Sequence, residues 1–259
     1  MELWHEIAGE GPPVLLIHEG ICDSRMWEPQ WRTFRRAHRT VRCDLRGFGQ
    51  TPLPPEPYSH ARDVAQLLDR LEPGPAAVVG VSLGGRVALE VALARPDLVD
   101  RLVLVGAGLR GRARSDALGS YIEAEEAALE RGDLDGAVEA TLRTWVDGPG
   151  RRPDEVDPGV RRFVGEMQRH AYELWLAAGD EPEEELLVPD VASRYAELRI
   201  PTLVLVGSED LPDMHEVAYL LASGIPGARK EKIPGTAHVP SIERPEEFDR
   251  LVLGFLAER

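Results

Sequence analysis

Short apolar runs recur along the chain at residues 14–17, 40–43, 76–79, 102–105 and 202–206, each bounded by glycine, proline or charged residues. Apolarity on consecutive rather than alternate positions is the pattern of strands buried on both faces. Between these runs, residues 60–71, 83–94 and 246–256 carry apolar side chains at helical spacing. Strands and helices therefore alternate through the first 110 residues and again after about residue 200. Such alternation predicts a mostly parallel sheet covered by helices on both faces, an α/β fold.

The stretch from 111 to 198 breaks the rhythm, being rich in Ala, Glu, Arg and Leu with helical periodicity and no convincing strand. Helices are predicted at 116–131, 134–145 and 160–177, separated by the breakers Gly132, Pro149, Pro153 and Pro158. The expected organisation is a core of residues 1–110 and 199–259 with a helical cap, 111–198, inserted between its halves. No internal repeat is found, and the proline-rich run 52–57 reads as a loop.

The strongest chemical signal lies where the third apolar run meets a helix, at Gly80-Val81-Ser82-Leu83-Gly84. G-x-S-x-G on a strand-turn-helix exposes a serine hydroxyl on a sharp turn whose crowding demands glycine neighbours. The same letters also fit a tight turn with a helix-capping serine, or a phosphate loop. The phosphate reading is weakened because no Gly-Lys-Ser/Thr follows, and Ser82 stands where a dinucleotide fingerprint needs its middle glycine.

A serine hydroxyl needs a base, and the base needs a carboxylate to fix its tautomer. The strand at 202–206 runs into Gly207-Ser208-Glu209-Asp210, and a short strand ending at Ile233 runs into Pro234-Gly235-Thr236-Ala237-His238. Singly, a loop aspartate is a turn former and a loop histidine faces solvent; together, in the order Ser, Asp, His at strand ends, they point to Ser82 as nucleophile, His238 as base and Asp210 as its orienting acid. Glu209 and Asp213 are the competing acids. The developing oxyanion requires two backbone N–H donors, expected from Leu83 and from Gly20 in the loop after the first apolar run, where the bland alternative is a turn glycine.

Composition narrows the partners. With 30 basic and 45 acidic side chains the net charge is −15, so nucleic acid and anionic membrane surfaces are not expected partners. The two cysteines, Cys22 and Cys43, lie in segments read as strand or strand end and are expected to pack as reduced thiols. The start Met-Glu-Leu-Trp-His has no basic stretch followed by an apolar run, and no segment is long enough to cross a bilayer, which makes the cytoplasm the expected location. No cofactor or metal is expected. Oligomeric state is unreadable, monomer and homodimer being equally ordinary.

Assembled, these residues resemble the α/β-hydrolase superfamily over essentially the whole chain. His18-Glu19-Gly20 is similar to its His-Gly-x oxyanion segment, Asp44-Leu45-Arg46-Gly47-Phe48-Gly49 to its Asp-x-Arg-Gly-x-Gly loop, and Gly235 to His238 with the following Glu243-Arg244-Pro245 to its histidine loop and last helix. Glu19 departs from the usual glycine and places a carboxylate near the oxyanion loop, where it would repel anionic substrates or point to solvent; the solvent position is the expectation, since glutamate is seldom buried unpaired. The serine nucleophile separates the chain from haloalkane dehalogenases and epoxide hydrolases, which use aspartate there. Asp23-Ser24-Arg25-Met26-Trp27-Glu28-Pro29-Gln30 followed by Gly80-Val81-Ser82-Leu83-Gly84-Gly85 resembles enol-lactone hydrolases and small carboxylesterases, which implies a small-molecule ester or lactone substrate cleaved through an acyl-serine. Meta-cleavage C–C hydrolases, with Asn where this chain has Val81, cofactor-free perhydrolases and non-enzymatic small-molecule receptors on the same fold are the alternatives.

Trp145 and Val239 are candidate substrate contacts. Trp145, Met167, Tyr172 and Trp175 would line a pocket under the cap, or simply form its core, as aromatic and Met stripes on helices more often do. Arg110, Arg112 and Arg114 at the start of the cap are placed to meet a substrate carboxylate or to stay on the surface. The acidic run 181–185 is expected to be a solvated face.

Overall fold

The computed structural model describes residues 2–71, 74–179 and 182–258. The described strands are β1 (His5–Ala8), β2 (Pro13–Ile17), β3 (Arg39–Cys43), β4 (Ala76–Val81), β5 (Val99–Val105), β6 (Thr202–Gly207) and β7 (Arg229–Ile233). They form one sheet in the order β1-β3-β2-β4-β5-β6-β7, in which only β1 runs antiparallel to its neighbour. The helices are α1 (Glu28–Phe34), α2 (His60–Leu71), α3 (Leu83–Ala94), α4 (Asp116–Glu130), α5 (Leu134–Thr141), α6 (Pro158–Ala178), α7 (Val191–Arg194), α8 (Pro212–Gly224), α9 (Pro240–Glu243) and α10 (Pro245–Leu256).

Alternate residues of the central strands feed two apolar layers. Leu15, Ile17, Val78, Leu102 and Leu104 face Val64, Leu67, Val87 and Leu221 of α2, α3 and α8. Val14, Leu16, Val79, Val103 and Leu205 face Phe34, Phe248 and Val252 of α1 and α10, together with Trp27. Each such side chain contributes about 1.5–3 kcal/mol through its removal from water, so the two layers dominate the folding free energy. The sheet edges are blunted: β7 reads Arg-Lys-Glu-Lys-Ile with only Ile233 buried, charges that resist pairing with another chain.

Residues between β5 and β6 carry α4, α5 and α6 across the carboxyl ends of the strands. Trp175 donates from Nε1 to the Gly47 carbonyl beyond β3 at 2.9 Å, and His238 N donates to the Trp145 carbonyl at 3.0 Å. Local chemistry sets the ends of these helices. Ser115 caps α4 by accepting from Leu118 N at 3.2 Å, and its own N–H donates to Asp213 of α8 at 2.9 Å. Asp157 caps α6, whose first residue is Pro158, and Gly179 ends it with φ of 81°.

Several expectations need correction. The helix expected over 134–145 stops at Thr141, and Leu142–Asp147 form a π-helical turn. Cys22 is buried but lies in the loop after β2 rather than in or at a strand. In the acidic run, Glu183 and Glu185 are exposed as expected, whereas Glu184 is largely buried and accepts from Arg86 at 2.7 Å and Arg110 at 2.5 Å; Glu181 lies outside the described residues.

Candidate active site

Ser82 joins β4 to α3 with φ of 50° and ψ of −108°, the one described non-glycine residue with positive φ. The strain is held by packing on both sides. A β-carbon on Gly80 would lie 2.3 Å from the Gly84 carbonyl oxygen, and one on Gly84 would lie 2.4 Å from the Ile17 carbonyl oxygen. Only glycine admits this close approach of strand, turn and helix. Ser82 N donates to Val105 O at 2.9 Å, and the N–H groups of Arg86 and Gly108 donate to Ser82 O, each at 3.0 Å. The Ser82 side chain caps nothing, and the residue is half-buried at the positive end of α3.

The turn after β5 that meets Ser82 also meets a buried acid-base pair. His238 Nδ1 lies 2.9 Å from Asp210 Oδ2, with both side chains 2% exposed. Asp210 follows β6 and is fixed by accepting from Leu211 N through Oδ1 at 2.8 Å. A β-carbon on Gly106 would stand 2.9 Å from the His238 ring and 3.3 Å from Asp210, so this turn borders both Ser82 and the pair, while Ser82 and His238 Nε2 are not hydrogen-bonded to each other. Of the competing acids, Glu209 accepts from Ser208 and Asp213 from Ser115. The contact with Asp210 puts the ring proton on Nδ1 and leaves the buried Nε2 a free acceptor, with no partner among the described residues. Burial works to lower the His238 pKa, but the Asp210 carboxylate, and behind it Glu19, hold it above the ordinary 6.5.

The loop carrying His238 is braced by residues that sequence reasoning missed. Ala237 N donates to Glu243 Oε1 at 2.8 Å, and Arg151 reaches from the insertion to Glu243 Oε2 at 2.7 Å and to Gly235 O at 2.9 Å. Nothing in a sequence signals a pair 92 positions apart. The Trp145 ring lies 4.5 Å from that of His238, centroid to centroid. Val239 is fully buried in the layer beneath. Met167 and Tyr172 are buried core residues, and Trp175 packs edge-on against Phe48 at 5.4 Å.

The loop after β2 faces the start of α3: a β-carbon on Gly20 would sit 3.7 Å from Leu83 Cβ. This loop is pinned by His18, whose Nδ1 donates to Glu19 O at 2.7 Å while its Nε2 accepts from Leu45 N at 2.9 Å. Asp44 ties in Ser24 N at 2.7 Å and Gln50 N at 2.9 Å, and Arg46 pairs with the buried Asp63.

Glu19 overturns the expectation that it points to solvent, since it is fully buried. Its Oε1 accepts from the Cys22 thiol at 3.3 Å, and its Oε2 lies 3.9 Å from His238 Nε2 with no hydrogen-bond partner among the described residues. Burial pushes its pKa from 4.5 up to about 7; His238 and the Cys22 thiol oppose the rise, while Asp210 and Glu243 add to it. The folded state therefore holds a proton that the unfolded state has lost between pH 4.5 and about 7, so stability falls as pH rises through that window. At 1.36 kcal/mol per unit the decline is about 3 kcal/mol, and the raised His238 adds a loss in the same direction above pH 6.5. Urea unfolding of Glu19→Gln at pH 5 and pH 8 should show most of this decline abolished and the variant more stable than wild type at pH 8. Parallel pH profiles for the two proteins would contradict the burial argument.

A cleft of about 570 Å³ opens on Ser82 and Leu83 and is walled by Arg86, Arg110, Arg112 and Arg114 together with Leu118 and Met214. Arg86 and Arg110 share Glu184, and Arg112 pairs with Glu216. Arg114 is exposed and has no carboxylate partner among the described residues.

The profile of the alpha/beta hydrolase fold family matches residues 13–245. A protein of Azorhizobium caulinodans assigned as the carbamate hydrolase RutD is 29% identical, over 99% of this chain and 96% of its own. The pimeloyl-[acyl-carrier protein] methyl ester esterase of Nitrosospira multiformis is 26% identical, over 98% of both chains. In structure, the enol-lactonase of Burkholderia xenovorans superposes with a TM-score of 0.80 at 24% identity, covering 99% of this chain and 96% of that one, a likeness of fold. With the doubly covered parallel sheet and the serine turn between β4 and α3, this chain belongs to the alpha/beta hydrolase fold family.

Proposed function

We propose that the protein is a serine hydrolase that cleaves carboxylic esters or lactones of small molecules. Ser82 attacks the carbonyl carbon while His238 Nε2 takes its proton. The amides of Gly20 and Leu83 receive the oxyanion, and Asp210 steadies the imidazolium that forms. The leaving alcohol departs with the proton from His238. Water then repeats the sequence on the acyl-Ser82 and releases the acid. The helices of residues 111–198 act as a cap, with Trp145 forming a wall beside His238.

The observation that carries this reading is the buried His238–Asp210 contact of 2.9 Å, which leaves Nε2 a free base, together with a serine held at strained backbone angles at the turn between β4 and α3. The methyl ester esterase among the relatives supports an ester substrate. The relative assigned as a carbamate hydrolase favours a second reading, in which the same attack opens a carbamate; a p-nitrophenyl carbamate beside the esters distinguishes the two.

Of the arginines along the cleft, Arg86, Arg110 and Arg112 are already paired with carboxylates, which leaves the exposed Arg114 to favour an anionic acyl or alcohol group. In a p-nitrophenyl ester series, a half-ester of a dicarboxylic acid should exceed its neutral isostere in kcat/KM by about 10-fold at low salt, the worth of one partly exposed charge contact. Raising salt or introducing Arg114→Glu should shrink the preference. Equal rates for the charged and neutral esters would remove the arginines from substrate selection.

A further inference from the structure

The mechanism above uses three side chains and leaves unused a further buried ionisable group, Glu19, 3.9 Å from His238. We propose that Glu19 is a further catalytic residue that, with His238, holds the water that deacylates Ser82. This inference rests on the acyl-serine reading. His238 Nε2 and Glu19 Oε2 are both buried, both lack a hydrogen-bond partner among the described residues, and stand 3.9 Å apart. One water molecule donating to both at ordinary distances of about 2.8 Å spans such a separation with its two hydrogens.

A structural role does not account for Glu19. Buried carboxylates kept for stability are paired with a cation or richly hydrogen-bonded, whereas the contacts here are a thiol at 3.3 Å and the histidine itself. The groups that face it are His238 and Asp210 from the ends of β7 and β6, Glu243 from α9 and Cys22 from its own loop. None of these is a permanent cation, and the positive charge among them is the imidazolium formed on His238 during turnover.

In the deacylation step the water oxygen bonds to the acyl carbon as one of its protons passes to His238 Nε2. Its other hydrogen stays bonded to water oxygen and donates to Glu19 Oε2, which fixes the attacking lone pair. The tetrahedral intermediate collapses, the bond from carbon to Ser82 Oγ breaks, and His238 returns its proton to Oγ. Atoms and charges balance without any other reactant. The imidazolium of this step lies between two carboxylates, Asp210 at 2.9 Å on Nδ1 and Glu19 at 3.9 Å on Nε2. Acylation needs no water, so Glu19 serves the second half of the cycle.

The test is to follow p-nitrophenol release from p-nitrophenyl acetate before and after the first turnover, with intact-mass measurement of acyl-protein, for wild type, Glu19→Gln and Glu19→Met. The expected result is acylation within about 3-fold of wild type in both variants. Steady-state turnover should fall about 10- to 100-fold, more in the methionine variant, which cannot accept a hydrogen bond from water. Acyl-protein should approach one equivalent. Turnover and acyl level equal to wild type, or acylation falling as far as turnover, would overturn the role. A wild type that releases p-nitrophenol with no acyl-protein and no dependence on Ser82 would instead remove the acyl-serine reading itself, and Glu19's role with it.

Discussion

Ser82→Ala should lower ester turnover at least about 10³-fold and as much as 10⁶-fold, the range expected when the nucleophile of such a triad is removed. The fold should survive. The Ser82 hydroxyl caps no helix and makes no hydrogen bond among the described residues that alanine would lose, while the backbone bonds that hold the turn run through Ser82 N and O. Alanine at φ of 50° bears much the same strain as serine. Urea unfolding should therefore move by less than about 1 kcal/mol. Residual turnover within 10-fold of wild type would take the nucleophile role from Ser82, and a large loss of stability would show that the hydroxyl serves the fold.

Asp210→Asn is the second large effect, with turnover expected to fall about 10⁴-fold. As a carboxylate, Asp210 can only accept, so the ring proton stays on His238 Nδ1 and Nε2 remains a base. An asparagine in the same place can donate to Nδ1, which moves the proton to Nε2 and leaves no free base there. Shape is nearly conserved, and Leu211 N keeps an oxygen to donate to. Nitrogen-detected NMR of the imidazole should show protonated Nδ1 in wild type and protonated Nε2 in the variant; the same tautomer in both, with activity lost, would place the role of Asp210 elsewhere.

Much of the fold is legible in the sequence because buried parallel strands announce themselves as unbroken apolar runs, as at Val78 and Val79 or Leu203 to Val206. What escapes is what does not depend on that signal. β1, His-Glu-Ile-Ala, is a half-polar edge strand of four residues, too short for any periodicity. The π-helical turn at Leu142–Asp147 follows from tertiary packing, with Asp147 fully buried beside Arg143 and Arg161. At the site, chain order singled out His238 and Asp210, which lie in contact, ahead of Glu209, one residue away. Glu19 was misjudged for a physical reason: the rule that glutamate shuns the interior reflects the cost of burying its charge, and a carboxyl whose pKa burial pushes up to about 7 escapes that cost by holding its proton. The Arg151–Glu243 brace and the anchoring of Glu184 by Arg86 join residues about a hundred positions apart and have no local signature.

The acyl-serine is the claim on which the rest depends, and its direct test is to quench p-nitrophenyl acetate turnover with acid and locate the adduct by peptide mass spectrometry. The account predicts an acetyl group on Ser82, formed as fast as the first equivalent of p-nitrophenol is released, absent from Ser82→Ala and accumulating in Asp210→Asn only at its slow rate. Hydrolysis that proceeds with no adduct on Ser82, or an adduct on another residue that forms at the turnover rate, would contradict it.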